Sequence, residues 1–214
     1  MDLNNKFVIT ISREAGSGGR TIGRKLAEKL NVAFCDKQVI QGLTERYNLD
    51  ASEIERIKSQ KKNWFDGFAK WFSAAAVPTA FIDSSPGSSR IIDSEELFHL
   101  EKEIILGLAN KCSCVIAGRF GFYVLKDHPN KVNILIRAPR EARIERISQK
   151  QNLTREEAAS VVDRVDESRS NYIRRIAGVD RYDSRNYDLV LNMAALTEDQ
   201  AIQCILGYLG FEKP

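Results

Sequence analysis

The stretch that decides the fold is FVITISREAGSGGRTIGRKLAEKLNVAFCD, residues 7–36. Residues 7–11 are apolar and rich in β-branched side chains, which predicts a buried strand that ends at a polar, glycine-rich segment. In residues 21–30 the apolar side chains fall on one face of a predicted helix. Residues 32–35 then predict a short second strand, which ends before Asp36. This order of strand, glycine loop, helix and strand is typical of an α/β fold.

The remaining chain continues the alternation of strands and helices. Further strands are predicted at residues 112–117, 131–136 and 188–192, and helices at residues 94–110 and beyond a capping box formed by Thr154 and Glu157. Strands separated by helices favour a parallel sheet with helices on both faces. Ligands of such sheets lie beyond the carboxyl ends of the strands. We therefore expect the functional residues at that edge.

Composition excludes several classes of protein. The 214 residues are 43% hydrophobic, which suits one globular domain, residues 1–214. The longest uncharged apolar run, residues 71–82, has 12 residues, whereas a membrane-spanning helix needs about 20. The N-terminus has no export-signal pattern, and the four cysteines have no paired zinc spacing. We expect a cytoplasmic protein with free thiols and no membrane partner.

The basic side chains are unevenly distributed. Residues 137–185 hold twelve Lys or Arg against nine Asp or Glu, an excess equal to the net charge of +3 of the whole chain. So small a charge does not indicate a nucleic-acid partner. The arginines in this segment form either a solvated helical surface or a cluster around a polyphosphate, because guanidinium groups bind phosphate oxygens in pairs.

The glycine loop predicts an anion site. Between a strand and a helix, such a turn lets backbone N–H groups converge on a phosphate, and the helix dipole adds to the attraction. The candidate phosphate-binding residues are Arg13, Ala15, Gly16, Ser17, Gly18, Gly19, Arg20 and Thr21. Two alternatives remain: a turn that serves only close packing, and a dinucleotide-binding turn in which Asp36 would bind a ribose.

The loop fits the pattern G-x-x-x-x-G-K-[ST] only with departures, and in two alignments. In the first alignment, Arg13 stands at the first glycine and Gly19 at the lysine. In the second, Glu14 stands at the first glycine, Arg20 replaces the lysine and Thr21 supplies the hydroxyl for magnesium.

Three segments carry a family resemblance. The stretches ITISREAGSGGRTIGRKLAEKLNVAFCDKQVI and CVIAGRFGFYVL, together with ESRSNYIRRI near the end of a predicted helix, resemble the cytidylate kinase-like family among the P-loop nucleoside monophosphate kinases. The resemblance implies a P-loop NTPase-type three-layer α/β fold with a five-stranded parallel sheet. It also implies transfer of the γ-phosphoryl group of ATP, with Mg²⁺, to CMP or dCMP.

The resemblance and the residues together suggest roles. Gly19 stands where the family has a lysine, and Arg20 is expected to reach the same phosphates. The expected catalytic residues are Arg20, Asp36, Arg119 and Arg169, and the expected magnesium ligands are Thr21 and Asp36. Simpler roles remain open: a helix N-cap for Asp36, a surface salt bridge for Arg119 and pairing with a structural carboxylate for Arg169.

The resemblance further implies a helical acceptor-binding insertion at about residues 37–110 and an Arg-rich lid at about residues 138–185. The aromatic side chains of residues 60–93 are expected to form core or homodimer contacts. If nothing replaces the lysine, the chain would be a degenerate kinase that senses nucleotides without turning them over. A nicotinamide-dependent oxidoreductase is the remaining alternative.

Overall fold

The computed structural model describes residues 1–37, residue 40 and residues 94–211. Most of the predicted acceptor-binding insertion, including the aromatic residues 60–93, lies outside the described residues, so the predicted insertion and homodimer stay predictions. The described strands are β1 (Val8–Arg13), β2 (Ala33–Cys35), β3 (Cys114–Ala117), β4 (Lys131–Arg137) and β5 (Leu189–Asn192). The described helices, numbered along these residues, are α1 (Gly19–Leu30), α2 (Ser94–Lys111), α3 (Gly121–Val124), α4 (Arg140–Gln151), α5 (Arg155–Ala177) and α6 (Glu198–Tyr208), with a 3-10 turn at Ser184–Asn186.

The five strands form one parallel sheet in the order β2-β3-β1-β4-β5. β1 is central, and its Ile11 lies level with Ala117 of β3 and Ile134 of β4. From β1 the chain runs first to one side of the sheet and then, after β3, to the other. The crevice at such a reversal is where open α/β sheets bind their ligands. The predicted fold class is confirmed, and the glycine loop leaves β1 at this point.

Alternating side chains of the strands build a core on each face of the sheet. On one face, strand residues such as Ile9 and Ile134 pack against α1 and α6. On the other face, strand residues such as Val8 and Ile116 pack against α2. Burial of both faces explains why the strands are apolar almost throughout. The result is the predicted three-layer arrangement.

The long helix α5 begins with the predicted capping box, in which the Thr154 hydroxyl accepts from the N–H of Glu157 and the Glu157 carboxylate accepts from the N–H of Thr154. Its first half packs against α4 through a small apolar cluster that also includes Ala15 of the glycine loop. The α4–α5 pair is thereby fixed beside the loop.

Some element bounds differ from those predicted. β1 runs on to Arg13, which pairs with Ile136 of β4, because the neighbouring strand is long enough to continue the ladder. β3 begins at Cys114, since the N–H of Cys112 still bonds to the carbonyl of Leu108 at the end of α2. None of the described helices combines the length and the apolar character needed to cross a membrane.

Candidate phosphate-binding site

The glycine loop makes a tight turn between β1 and α1. Gly16 and Gly18 have φ angles of +80° and +86°, a backbone conformation that is unfavourable for residues other than glycine. Gly18 is the N-cap of α1. The backbone N–H groups of Gly19 and Thr21, in the first helical turn, donate to no acceptor among the described residues. Unpaired N–H groups at the positive end of a helix dipole form a ready site for an anion.

The helix α4 closes one side of this loop. A Cβ atom on Gly16 would lie 2.6 Å from the backbone oxygen of Arg143, so the α4 backbone approaches the loop closely. The buried Glu14 adds a second contact on this side, because its Oε2 accepts from the N–H of Ala138 at 3.0 Å. In the sequence, Glu14 stood out only in one of the two alignments of the pattern, at the position of its first glycine. The structure gives it a bracing contact to the segment before α4.

Arg20 and Asp36, two predicted site residues, meet in an ion pair. The Arg20 Nε lies 2.6 Å from Oδ2 of Asp36, which is buried at the end of β2, while the Arg20 side chain is half exposed. Thr21 follows in the first turn of α1. A hydroxyl and a carboxylate are the hard oxygen ligands that Mg²⁺ accepts alongside substrate phosphates and water. The described residues hold no cluster of three acidic, Cys or His side chains for a metal.

Asp166 of α5 is a residue that the sequence analysis missed. Its carboxylate accepts from the N–H of Ala15 at 2.9 Å and from Nη1 of Arg143 at 2.6 Å, and Arg169 lies 3.4 Å away. Arg143 also donates to the carbonyl of Ala15 at 3.3 Å. The i, i+3 spacing of Asp166 and Arg169 on one helix was the available signal. Asp166 thus links α5 to α4 and to the glycine loop.

Three arginines converge where β1 ends. Arg169 Nη1 and Arg181 Nη2 donate to the backbone carbonyl of Arg13, at 3.2 and 2.7 Å. Burial, with Arg169 and Arg181 nearby, lowers the pKa of Arg13 from 12.5 to about 9. Arg181 is 4% exposed, and its Nη1 has no hydrogen-bond acceptor in the described part of the chain. Arg181 was also missed, because it lies in a loop without periodicity.

Arg169 is partly explained by this geometry. Its guanidinium donates to Oδ1 of Asp166 and to the carbonyl of Arg13, and pairing with a structural carboxylate was the simpler of the two roles considered for Arg169. Its pKa is lowered, first by burial and then by Arg181. Nearly a third of the side chain stays exposed to solvent.

Arg119 lies in a strained turn after β3. Gly118, Arg119 and Phe120 have consecutive φ angles of +84°, +51° and +52°, and two of them are not glycine. Arg119 Nη1 lies 2.9 Å from Oε1 of the buried Glu101, without hydrogen-bond geometry, and Arg119 Nε has no acceptor among the described residues. Burial raises the pKa of Glu101, against the opposing charge of Arg119. Strain of this kind in a packed turn points to a functional constraint.

The predicted residues therefore gather at one edge of the sheet. The loop, Asp36 and Arg119 follow the ends of β1, β2 and β3, and Arg169 reaches the same edge from α5. A doubly wound parallel sheet with a glycine loop and converging arginines at its switch point is the architecture of the P-loop kinase class of α/β proteins.

The chain belongs to the cytidylate kinase-like family, which it matches over residues 8–195. The resemblance seen in the sequence is thus confirmed. The chain is 27% identical over 194 residues to the cytidylate kinase of Pyrococcus furiosus, covering 90% of this chain and 83% of that protein. It is 22% identical over 209 residues to the cytidylate kinase of Sulfolobus acidocaldarius, covering 94% and 93%.

Solved structures agree on the fold. An uncharacterized protein from Eubacterium ventriosum superimposes with a TM-score of 0.69 at 20% identity, covering 97% of this chain and 100% of that one. A sugar kinase from a Janibacter species superimposes with a TM-score of 0.50 at 12% identity, covering 97% and 96%. At these identities the likeness concerns the fold alone.

Proposed function

We propose that this chain transfers the γ-phosphoryl group of ATP to a nucleoside monophosphate, with CMP and dCMP as the first acceptors to test. The observation that carries the proposal is the glycine loop, which starts α1 at the centre of the sheet with arginines around it. Membership of the cytidylate kinase-like family supports the choice of reaction. Phosphoryl transfer needs positioning and charge stabilisation rather than covalent help, and this site offers both.

On the donor side, the amides of residues 15–21 and the start of α1 hold the β and γ phosphates. Thr21 and Asp36 hold Mg²⁺, directly or through water, and the ion supplies charge neutralisation between the phosphates. Arg20 lies beside Asp36 and orients that carboxylate in the ligand-free chain.

On the acceptor side, Arg119 holds the phosphate of the monophosphate. Its turn follows β3, which is adjacent to β1, and its Nε is free of any described acceptor. Arg169 and Arg181 lie over the end of β1 between the two sides and stabilise the group in transit. The predicted lid at about residues 138–185 includes both and remains part of this proposal.

A coupled assay that follows ADP formation tests the reaction, with ATP and Mg²⁺ and each of the common nucleoside monophosphates. We expect turnover with a pyrimidine monophosphate. Arg119→Met should raise KM for the acceptor and leave KM for ATP close to that of the wild type. Binding of ATP without turnover on any acceptor would refute the kinase function.

The second candidate is a degenerate kinase that binds nucleotide and acts as a sensor. It is favoured by Gly19 at the position of the usual lysine and by the pairing of Arg20 with Asp36. It predicts a rise in melting temperature with ATP and no turnover. The oxidoreductase alternative gains no support from the family match. A rise in melting temperature with NAD, but not with ATP, would favour it.

A further inference from the structure

Arg13 and Gly19, the two residues at which the loop departs from the usual pattern, lie in contact with each other. Gly19 opens α1 with a φ angle outside the left-handed region, so its backbone does not require glycine. A Cβ atom there would lie 2.6 Å from Cβ of Arg13 and 3.3 Å from Cβ of Ile136. The first distance is shorter than any tolerated contact. Gly19 is therefore needed because Arg13 occupies the space beside it.

The far end of the Arg13 side chain meets a second glycine. A Cβ atom on Gly118 would lie 1.7 Å from Nη1 of Arg13 and 2.7 Å from its Cζ. The side chain thus passes Gly19 at its root and reaches Gly118 at the end of β3, where the turn that carries Arg119 begins. Because Gly19 and Gly118 have no side chains, the Arg13 side chain can extend between the proposed donor and acceptor sides.

Among the described residues, no counter-ion is in direct contact with the Arg13 guanidinium. Its side chain makes no hydrogen bond or ion pair within the described residues. Burial first, and then Arg169 and Arg181, lower the pKa of Arg13, and the opposing effect of Asp36 is smaller than that of either arginine. An unpaired, largely desolvated cation is costly unless a ligand brings an anion.

The alignment that places Arg13 at the first glycine also explains both departures at once. In the other alignment the exchanged residues are Glu14 and Arg20, and these bind different partners, the N–H of Ala138 and the carboxylate of Asp36. Only the pair of Arg13 and Gly19 is in mutual contact. Relative to the usual pattern, the cation stands at the end of the strand, as Arg13, and glycine stands at the start of the helix, as Gly19.

We propose that Arg13 contacts the β and γ phosphates of ATP and supplies the charge that the lysine of the usual pattern supplies. This assignment rests on the proposed kinase function. It gives Arg13 the phosphate contact that the sequence suggested for Arg20. The guanidinium offers two parallel N–H donors where an ammonium offers a point charge, so Arg13 also fixes the orientation of the transferring group. Arg13 is then a catalytic residue in contact with the substrate.

The first test compares Arg13→Met, Arg20→Met and the exposed control Arg24→Met by calorimetric titration with ATP, ADP and AMP. Loss of a charge-assisted contact weakens binding about 10- to 100-fold. We expect that loss for ATP, and little for AMP, in Arg13→Met alone. Arg13→Lys should recover part of it. The melting temperature of ligand-free Arg13→Met should be no lower than that of the wild type, because an unpaired cation is removed.

Two results would overturn the proposal, and they are distinguishable. If Arg20→Met loses ATP affinity and Arg13→Met does not, the cation is Arg20 and the kinase function stands. If the wild type binds none of the three nucleotides, the proposed function fails and the role of Arg13 fails with it. A lower melting temperature of Arg13→Met with unchanged ATP affinity would show a structural role only.

The second test restores the usual pattern. Gly19→Lys alone should reduce both stability and ATP affinity, because its Cβ would collide with that of Arg13. Adding Arg13→Gly removes the collision, and the double variant should recover ATP affinity to within about tenfold of the wild type. If Gly19→Lys alone binds ATP as well as the double variant, the two positions are independent and the proposal is wrong.

Discussion

Replacing Asp166 with Asn should weaken the contact between the glycine loop and helices α4 and α5. The carboxylate faces Arg143, with Arg169 and Arg181 at 3.4 and 3.8 Å, and its side chain is only 12% exposed. Removing one partner of a buried ion pair costs about 3–5 kcal/mol, because the remaining charge stays uncompensated. Asn still offers an oxygen to the N–H of Ala15, but its amide nitrogen would face donors.

We take the lower end of that range, about 3 kcal/mol, because Arg169 is partly solvated and screened. For a chain of this size, the loss corresponds to a melting temperature lower by about 6–12 °C. Urea unfolding and a thermal scan measure both quantities. Inorganic pyrophosphate should raise the melting temperature of Asp166→Asn more than that of the wild type, since the same guanidinium groups then need a new anion.

Asp163→Asn is the matched control for this experiment. Asp163 lies one helical turn earlier on α5 and also pairs with an arginine, Arg140, but both side chains are about half exposed. Water replaces such a pair readily, so we expect no change beyond the error of measurement. Equal losses in Asp163→Asn and Asp166→Asn would refute the idea that burial makes Asp166 the joining residue.

Three further predictions concern the surroundings of the site. Gly118→Ala should lower the free energy of unfolding by about 1–3 kcal/mol, because a φ of +84° is strained for Ala. It should also weaken ATP binding, because the new Cβ would displace the Arg13 guanidinium. A thermal scan measures the first effect and a calorimetric titration the second. Burial raises the pKa of Glu101 above 4.5, so its contribution to stability is full below pH 4.5 and is lost as the pH rises through the raised pKa. Glu101→Gln stays neutral, and its free energy of unfolding relative to the wild type should therefore rise from pH 4.5 upward in urea titrations. A thiol reagent should modify the exposed Cys204 in the native protein and the buried Cys35, whose pKa burial raises, only after unfolding.

The sequence predicted the sheet and the loop because both follow from local patterns. Within thirty residues, the sequence contains the apolar run of β1, the glycines of the loop and the amphipathic pattern of α1. The structure differs from these predictions only in the exact ends of the elements. The same holds for the start of α5, where Thr154 and Glu157 form the capping box that their spacing predicts.

The ion pairs could not be predicted in the same way. Arg20 meets Asp36 across 16 residues, and Arg143 meets Asp166 across 23. Which cation reaches which carboxylate depends on how closely two elements approach, and the helix and strand patterns do not contain that distance. Arg181 lies in a loop, so even its burial gave no periodic signal.

Arg13 and Gly19 show a further limit of reading positions one at a time. Compared with a pattern, each is a defect: a bulky cation where glycine is usual, and a glycine where a cation is usual. The pattern records residue types but not the 2.6 Å that would separate their Cβ atoms, and at that distance the two positions cannot both carry side chains. Steric exclusion therefore makes glycine at position 19 a condition of the arginine at position 13. Loss of the lysine is then weak evidence against catalysis, because the same exchange leaves a guanidinium at the end of β1, beside the phosphate loop.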